Sequence, residues 1–166
     1  EECIEAMKRK GDKTLDALRA KTQDLRLTVA VIIGEDGNVK SFRPGLIEAK
    51  AEPDFLRDEA NPKNYTGQHY DRVYKDLSPH GLREPNFDEY CALFETVKAM
   101  ENGKLIDRNG WTMLDIGNRS DKSAAVPLAR VRDGDPYRYS YWPGSRNDLL
   151  VSRPSVWGDD VLPKTA

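Results

Sequence analysis

Asp36, Glu48 and Lys50 offer the first chemistry in the chain. Two carboxylates can hold a hard divalent cation through oxygen, and a lysine two residues after the second can position an attacking water. A second set consists of Arg130, Arg132, Arg138 and Tyr139, in the tyrosine- and arginine-rich stretch near the C-terminus. Guanidinium groups beside aromatic rings clamp carboxylate or phosphate in bidentate fashion and stack on flat groups. The histidines, His69 and His80, are the only two. Either suits a general base, because imidazole titrates near neutrality, and His80 is the candidate of the pair. No third histidine or cysteine stands at zinc-ligand spacing, so no metal site is assigned. Gly34-Glu35-Asp36-Gly37 follows a strand as a dinucleotide-binding turn would, but it lacks the third glycine, and its two acids would repel a pyrophosphate.

Two resemblances accompany these sets. Asp36…Glu48-Ala49-Lys50, with Leu46-Ile47 leading in, resembles the acidic…acidic-x-Lys pattern of PD-(D/E)XK nucleases and implies metal-dependent phosphodiester hydrolysis. It departs from that pattern in placing Asp36 in a turn and Pro53-Asp54 after the tripeptide. Arg43, Leu77-Ser78-Pro79 and the tyrosine-rich late strand resemble, in order only, the residues that ADP-ribosyltransferase-type toxins arrange around NAD. That resemblance implies a toxin-like, NAD-using transferase, although no Glu-x-Glu motif is present.

Composition narrows the classes. The 26 basic and 28 acidic residues leave a net charge of −2, so general nucleic-acid binding, which draws its affinity from phosphate neutralisation, is not expected. The longest apolar run, Val29 to Ile33, is strand-sized, which argues for a soluble chain without a membrane span. The start at Glu1 reads as a processed or trimmed product, cytoplasmic or secreted. Cys3 and Cys91 fit either free thiols or one bridge; Cys91 falls on a helix's apolar face and is expected as a buried thiol. Asn64-Tyr65-Thr66 and Asn118-Arg119-Ser120 have the form of glycosylation triplets. A chain of 166 residues suits one domain with a core that needs no disulfide or metal.

The elements that must position these residues follow from periodicity. Residues 1–26 place Ile4, Met7, Leu15, Leu18 and Leu25 at helical spacing, with a break at Gly11 and a cap at Asp12. In the mixed region 27–85, Leu27 to Ile33 is a β-branched run without strict alternation and is expected to be a central strand buried on both faces. Glu35-Asp36-Gly37-Asn38 turns it back into Val39 to Phe42, which Pro44-Gly45 should stop. Leu46 to Ala51 fits a strand or a helix start. Short helices are expected after Asp54 and from Thr66 to Leu77, with a turn at Ser78-Pro79-His80-Gly81. The main helix occupies 86–102, with Asn86 and Glu89 as a capping box and Asn102-Gly103 as its end. Residues 104–152 read as hairpins: Leu105-Ile106 with Trp111–Ile116, then Val126–Val131 with Tyr137–Trp142, and a short strand at Leu149–Val151. Residues 153–166 read as an extended tail pinned by Trp157.

The sum is a single α+β domain: a mainly antiparallel sheet with two principal helices packed on it and short extra helices. Its expected role is a binding or interaction domain that uses Arg130, Arg132, Arg138 and Tyr139 on a protein partner or anionic ligand. The alternatives are the two enzyme readings above, and no cofactor is implied strongly.

Overall fold

The fold is α+β, as the periodicity leads one to expect. The structure, a computed structural model, describes residues 1–54, 65–147 and 149–164. Gly11, at φ 85°, breaks the N-terminal helix into α1 (Glu2–Lys8) and α2 (Asp12–Lys21). Gly11 itself is the N-cap of α2, so Asp12 is the first helical residue rather than the cap. The helix expected after Asp54 lies outside the described residues. Further on come α3 (Thr66–Leu77), a 3-10 turn at Ser78–His80 and α4 (Phe87–Met100).

The capping box of α4 forms as its sequence requires. Asn86 Oδ1 accepts from the Glu89 N–H, and Glu89 Oε1 accepts from the Asn86 N–H, both at 2.8 Å. Asn86→Ala is expected to lower the unfolding free energy by about 1 kcal/mol, read from urea denaturation.

Strand neighbours differ from the sequence expectation. β1 (Leu25–Ile33) and β2 (Val39–Glu48) form the hairpin, turned at Gly37, with Asp36 accepting from the Asn38 N–H at 3.0 Å. The sheet order is β1-β2-β7, however, with β7 at Ser155–Trp157, so β1 is an edge strand and β2 the centre. Strict alternation, hidden by the uniformly apolar sequence, sends the small Thr28 and Ala30 into the core and turns Leu27, Val31 and Ile33 outward. Nor does Pro44-Gly45 stop β2. Ala49 donates to the Asp24 carbonyl, which places Pro44 among the residues whose main chain faces β7 rather than β1. There Pro44 only has to accept, from Gly158 at 2.7 Å, so its missing N–H costs nothing. Gly45 is required by Trp157, whose ring atoms would stand 2.4–2.6 Å from any Cβ at that position.

A second sheet has the order β5-β4-β3-β6, with β3 at Trp111–Met113, β4 at Val126–Arg132, β5 at Asp135–Tyr141 and β6 at Leu150–Val151. The β4–β5 hairpin matches the sequence reading, with Asp133 and Gly134 both at positive φ. The Leu105–Ile106 hairpin does not form. Instead β3 pairs with β4 antiparallel and with β6 in parallel. The two sheets share one core, in which Ala30 and Ile47 of the first meet Ala129 and Val131 of the second beneath α4. A second core joins Met7, Leu18, Tyr70, Val73 and Leu77 of the helices to Val126 and Leu128.

Residues 153–158 are buried, so the first part of the expected tail, with β7 inside it, belongs to the core, while Asp159, Asp160 and residues 162–164 are exposed. Arg153 opens it and is 0% exposed. Its guanidinium pairs with Asp107 Oδ1 at 2.7 Å and donates to the carbonyls of Glu48 and Lys50 at 3.0 and 2.8 Å, and to Thr112 Oγ1 at 2.9 Å. Asp107 also accepts from the hydroxyls of Tyr90, at 2.9 Å, and Thr112. This cluster explains the lost hairpin: Asp107 turns inward at positive φ to neutralise a buried arginine rather than serving as a turn residue.

Candidate binding surface

Cross-strand neighbours share a sheet face, which decides where the arginine and tyrosine set lies. Arg130 opposes Tyr137, Leu128 opposes Tyr139 and Val126 opposes Tyr141. Arg130, Arg132 and the three tyrosines therefore occupy one face. Trp111 of β3 completes it, edge-on to Tyr139 at 4.8 Å and to Tyr141 at 5.1 Å between ring centroids. Tyr137 stands 6.3 Å from Tyr139. Edge-to-face rings at these distances hold one another in place and lose little freedom when a ligand arrives.

The arginines of this face differ in their partners. Arg130 stacks on Trp111, 4.7 Å from guanidinium carbon to ring centroid, and donates from Nη2 to the Arg108 carbonyl at 3.1 Å. Its Nε is buried and meets no acceptor among the described residues. Arg132 is exposed and has Asp133 at 3.7 Å. A hydrogen bond to Tyr139 raises its pKa further above the usual arginine range, so its charge is permanent.

The fourth residue of the expected set is elsewhere. Arg138 opposes Ala129 and points to the other side of the sheet. There it lines a small cleft of about 250 Å³ with Asn86, Asp88 and Asp115. Arg130 and Arg138 are thus not exposed together, because their strand positions differ in parity.

The proposed metal-binding pair is not brought together. Asp36 sits at the tip of the β1–β2 hairpin and Glu48 at its base, a separation of about 30 Å at the usual rise per residue. Glu48 is 0% exposed, and its oxygens accept from the N–H groups of Gln23, Asp24 and Lys50 at 2.5, 3.0 and 2.9 Å. Lys50 pairs with Asp54 at 2.6 Å. Among the described residues no group of three or more His, Cys, Asp or Glu side chains could hold a metal ion. Glu48 therefore ties the α2–β1 connection to the end of β2.

His80 is exposed at the end of the 3-10 turn, while His69 is buried with Nδ1 2.7 Å from Arg72 Nη2. Arg43, the arginine of the NAD-using pattern, is held by Asp160 at 2.8 Å and Glu89 at 3.5 Å on the first sheet. The tyrosine-rich strand belongs to the other sheet, so those residues do not converge either. Cys3 and Cys91 are free and half-buried, and burial pushes the Cys91 thiol up to about 11.

Sequence reading missed Trp142. The residue is 66% exposed beside a cleft of about 520 Å³ that Tyr65, Gln68, Asp71, Arg119 and Lys122 also line. Arg119 and Asp71 form the floor, with a bidentate pair at 2.9 and 3.3 Å. Burial opposes the Asp71 charge, but Arg119 and Lys122 together hold its carboxyl below the usual range. A lone tryptophan after a strand carries no signal for this; the Pro143-Gly144 turn that presents it is the only hint. No described helix is long and apolar enough to cross a membrane. Comparisons with known protein families, curated proteins and solved structures return no match, so the site's own chemistry carries the functional argument.

Proposed function

We propose that the chain is a binding domain that takes an extended acidic protein segment on the face formed by Trp111, Tyr137, Tyr139, Tyr141, Arg130 and Arg132. The observation that carries this reading is the Arg130–Trp111 stack inside a cluster of mutually braced, half-open rings. Arg130, held on the Trp111 ring and by the Arg108 carbonyl, presents its guanidinium already positioned for an anionic group. Arg132 supplies a second, exposed guanidinium for a carboxylate. Because β5 is an edge strand of its sheet, an extended chain can add to it through main-chain hydrogen bonds. The net charge of −2 disfavours a polyphosphate partner, whose affinity would need a basic excess.

The test is fluorescence anisotropy with a labelled oligoglutamate peptide and an oligoglutamine peptide of equal length. The acidic peptide should bind in preference, and more weakly as salt rises. Arg130→Ala and Arg132→Ala together should raise Kd at least about tenfold, the loss expected for a hydrogen bond to a charged group. Arg138→Ala, on the opposite face, should leave Kd unchanged. Equal binding of both peptides, or an equal loss with Arg138→Ala, would defeat the proposal.

A further inference from the structure

The outer face of the β1–β2 hairpin is apolar, uncharged and open. Leu27, Val31, Ile33 and Val39 are 44%, 48%, 55% and 42% exposed, and Val29 and Phe42 between them are half-buried. Register makes this one surface: Leu27 opposes Leu46, Val29 opposes Pro44, Val31 opposes Phe42 and Ile33 opposes Val39. At the Leu25 end the same face enters the second core, where Leu25 and Leu46 pack with Met7 and Leu18 of α1 and α2. Further along, α1 and residues 159–164 border Phe42 in a shared cleft, while Leu27, Val31, Ile33 and Val39 remain open.

We infer that this face mates with the same face of a second copy of the chain, giving a two-fold dimer of packed hairpins. Area and charge both point to this occupant. The open parts of these side chains amount to roughly 400–500 Å², the size of a monomer's largest patch, which is often functional. A standard interface of about 800 Å² per partner, about 65% apolar in homodimers, needs about 500 Å² of apolar surface from each side. Every outward position from Leu27 to Ile33, and its partner on β2 from Leu46 to Val39, is uncharged, so the strands of two copies meet without like-charge repulsion. An edge strand with so many outward aliphatic residues and no outward lysine lacks the usual protection against association, which is expected where association is its use. The arginine and tyrosine face lies on the other sheet, so this inference stands independently of the proposed ligand.

Sedimentation equilibrium of the full chain tests it. The wild type should be a dimer at about 100 µM, the range in which an interface of this size is populated. Val31→Lys and, separately, Leu27→Lys should raise the dimer dissociation constant at least tenfold. Both sites are already half open, so the far-ultraviolet circular dichroism should stay that of the wild type. Met100→Lys, at a 66% exposed apolar residue on α4, should leave the dimer intact. A wild type that stays monomeric at this concentration overturns the inference. So does a dimer indifferent to both folded lysine variants, or one that Met100→Lys breaks equally well.

Discussion

Arg153→Ala should lower the unfolding free energy by about 3–5 kcal/mol, the cost of leaving a buried charge without its partner. Arg153 and Asp107 are both 0% exposed, and the arginine reaches carbonyls of β2 and the segment after it as well as Thr112 of β3. Its loss therefore strands the Asp107 carboxylate and releases the contact between the two sheets. For a chain of this length the melting temperature should fall by about 10 °C or more. Arg153→Met combined with Asp107→Leu removes both charges and keeps apolar volume. This double variant should recover much of the stability, because buried pairs replaced by packed hydrophobic groups are often close to neutral. Thermal melts of the three proteins decide the matter. If the double variant is as unstable as Arg153→Ala, the hydrogen bonds to the carbonyls, and not the stranded charge, dominate the cost.

Glu84 gives the second large effect. Burial pushes its carboxyl from the ordinary 4.5 up to about 8, against the opposing pull of its bonds from Ser152 Oγ and the Arg153 N–H. The folded protein therefore keeps a proton that the unfolded chain releases between these values. The Glu84 contribution to stability is fully present below about pH 4.5, declines as pH rises, and is lost above about pH 8. The whole loss is on the order of 3–5 kcal/mol. Glu84→Gln replaces the acid with an amide that donates to Ser152 Oγ and accepts from the Arg153 N–H at every pH. Urea denaturation from about pH 5 to about pH 9 should show the variant gaining on the wild type with each unit, by up to about 1.4 kcal/mol per unit. Parallel stability curves for the two proteins would mean that Glu84 stays ionised in the fold.

Local elements were legible in the sequence wherever a local rule was sufficient. The capping box at Asn86 and Glu89, the break at Gly11, the limits of α3 and the β4–β5 hairpin all follow from residues a few positions apart. The parity of β5 was legible too, which correctly groups Tyr137, Tyr139 and Tyr141 on one face. The candidate surface was legible only in part. Arg138 looked like part of the set because it is near in sequence, whereas parity puts it on the reverse of the sheet. Trp111, which braces the tyrosines and carries Arg130, comes from a strand whose partners no turn signal announces.

The amino-acid sequence alone decides that the chain is α+β, the limits of α3 and the start of α4, and the β1–β2 and β4–β5 turns, since caps, glycines and alternation act over a single turn or strand. It does not decide the end of α2, for the helical spacing that runs on to Leu25 gives way to β1 after Lys21. Tertiary structure alone decides that β1 is an edge strand and not the centre, and that Pro44 lies within a strand. It also decides that residues 153–158 belong to the core and that Asp36 and Glu48 stand apart. An apolar strand can sit at either place in a sheet with the same local energy. What chooses is which distant residues, here Trp157 against Gly45 and Arg153 against Asp107, find shape and charge to match.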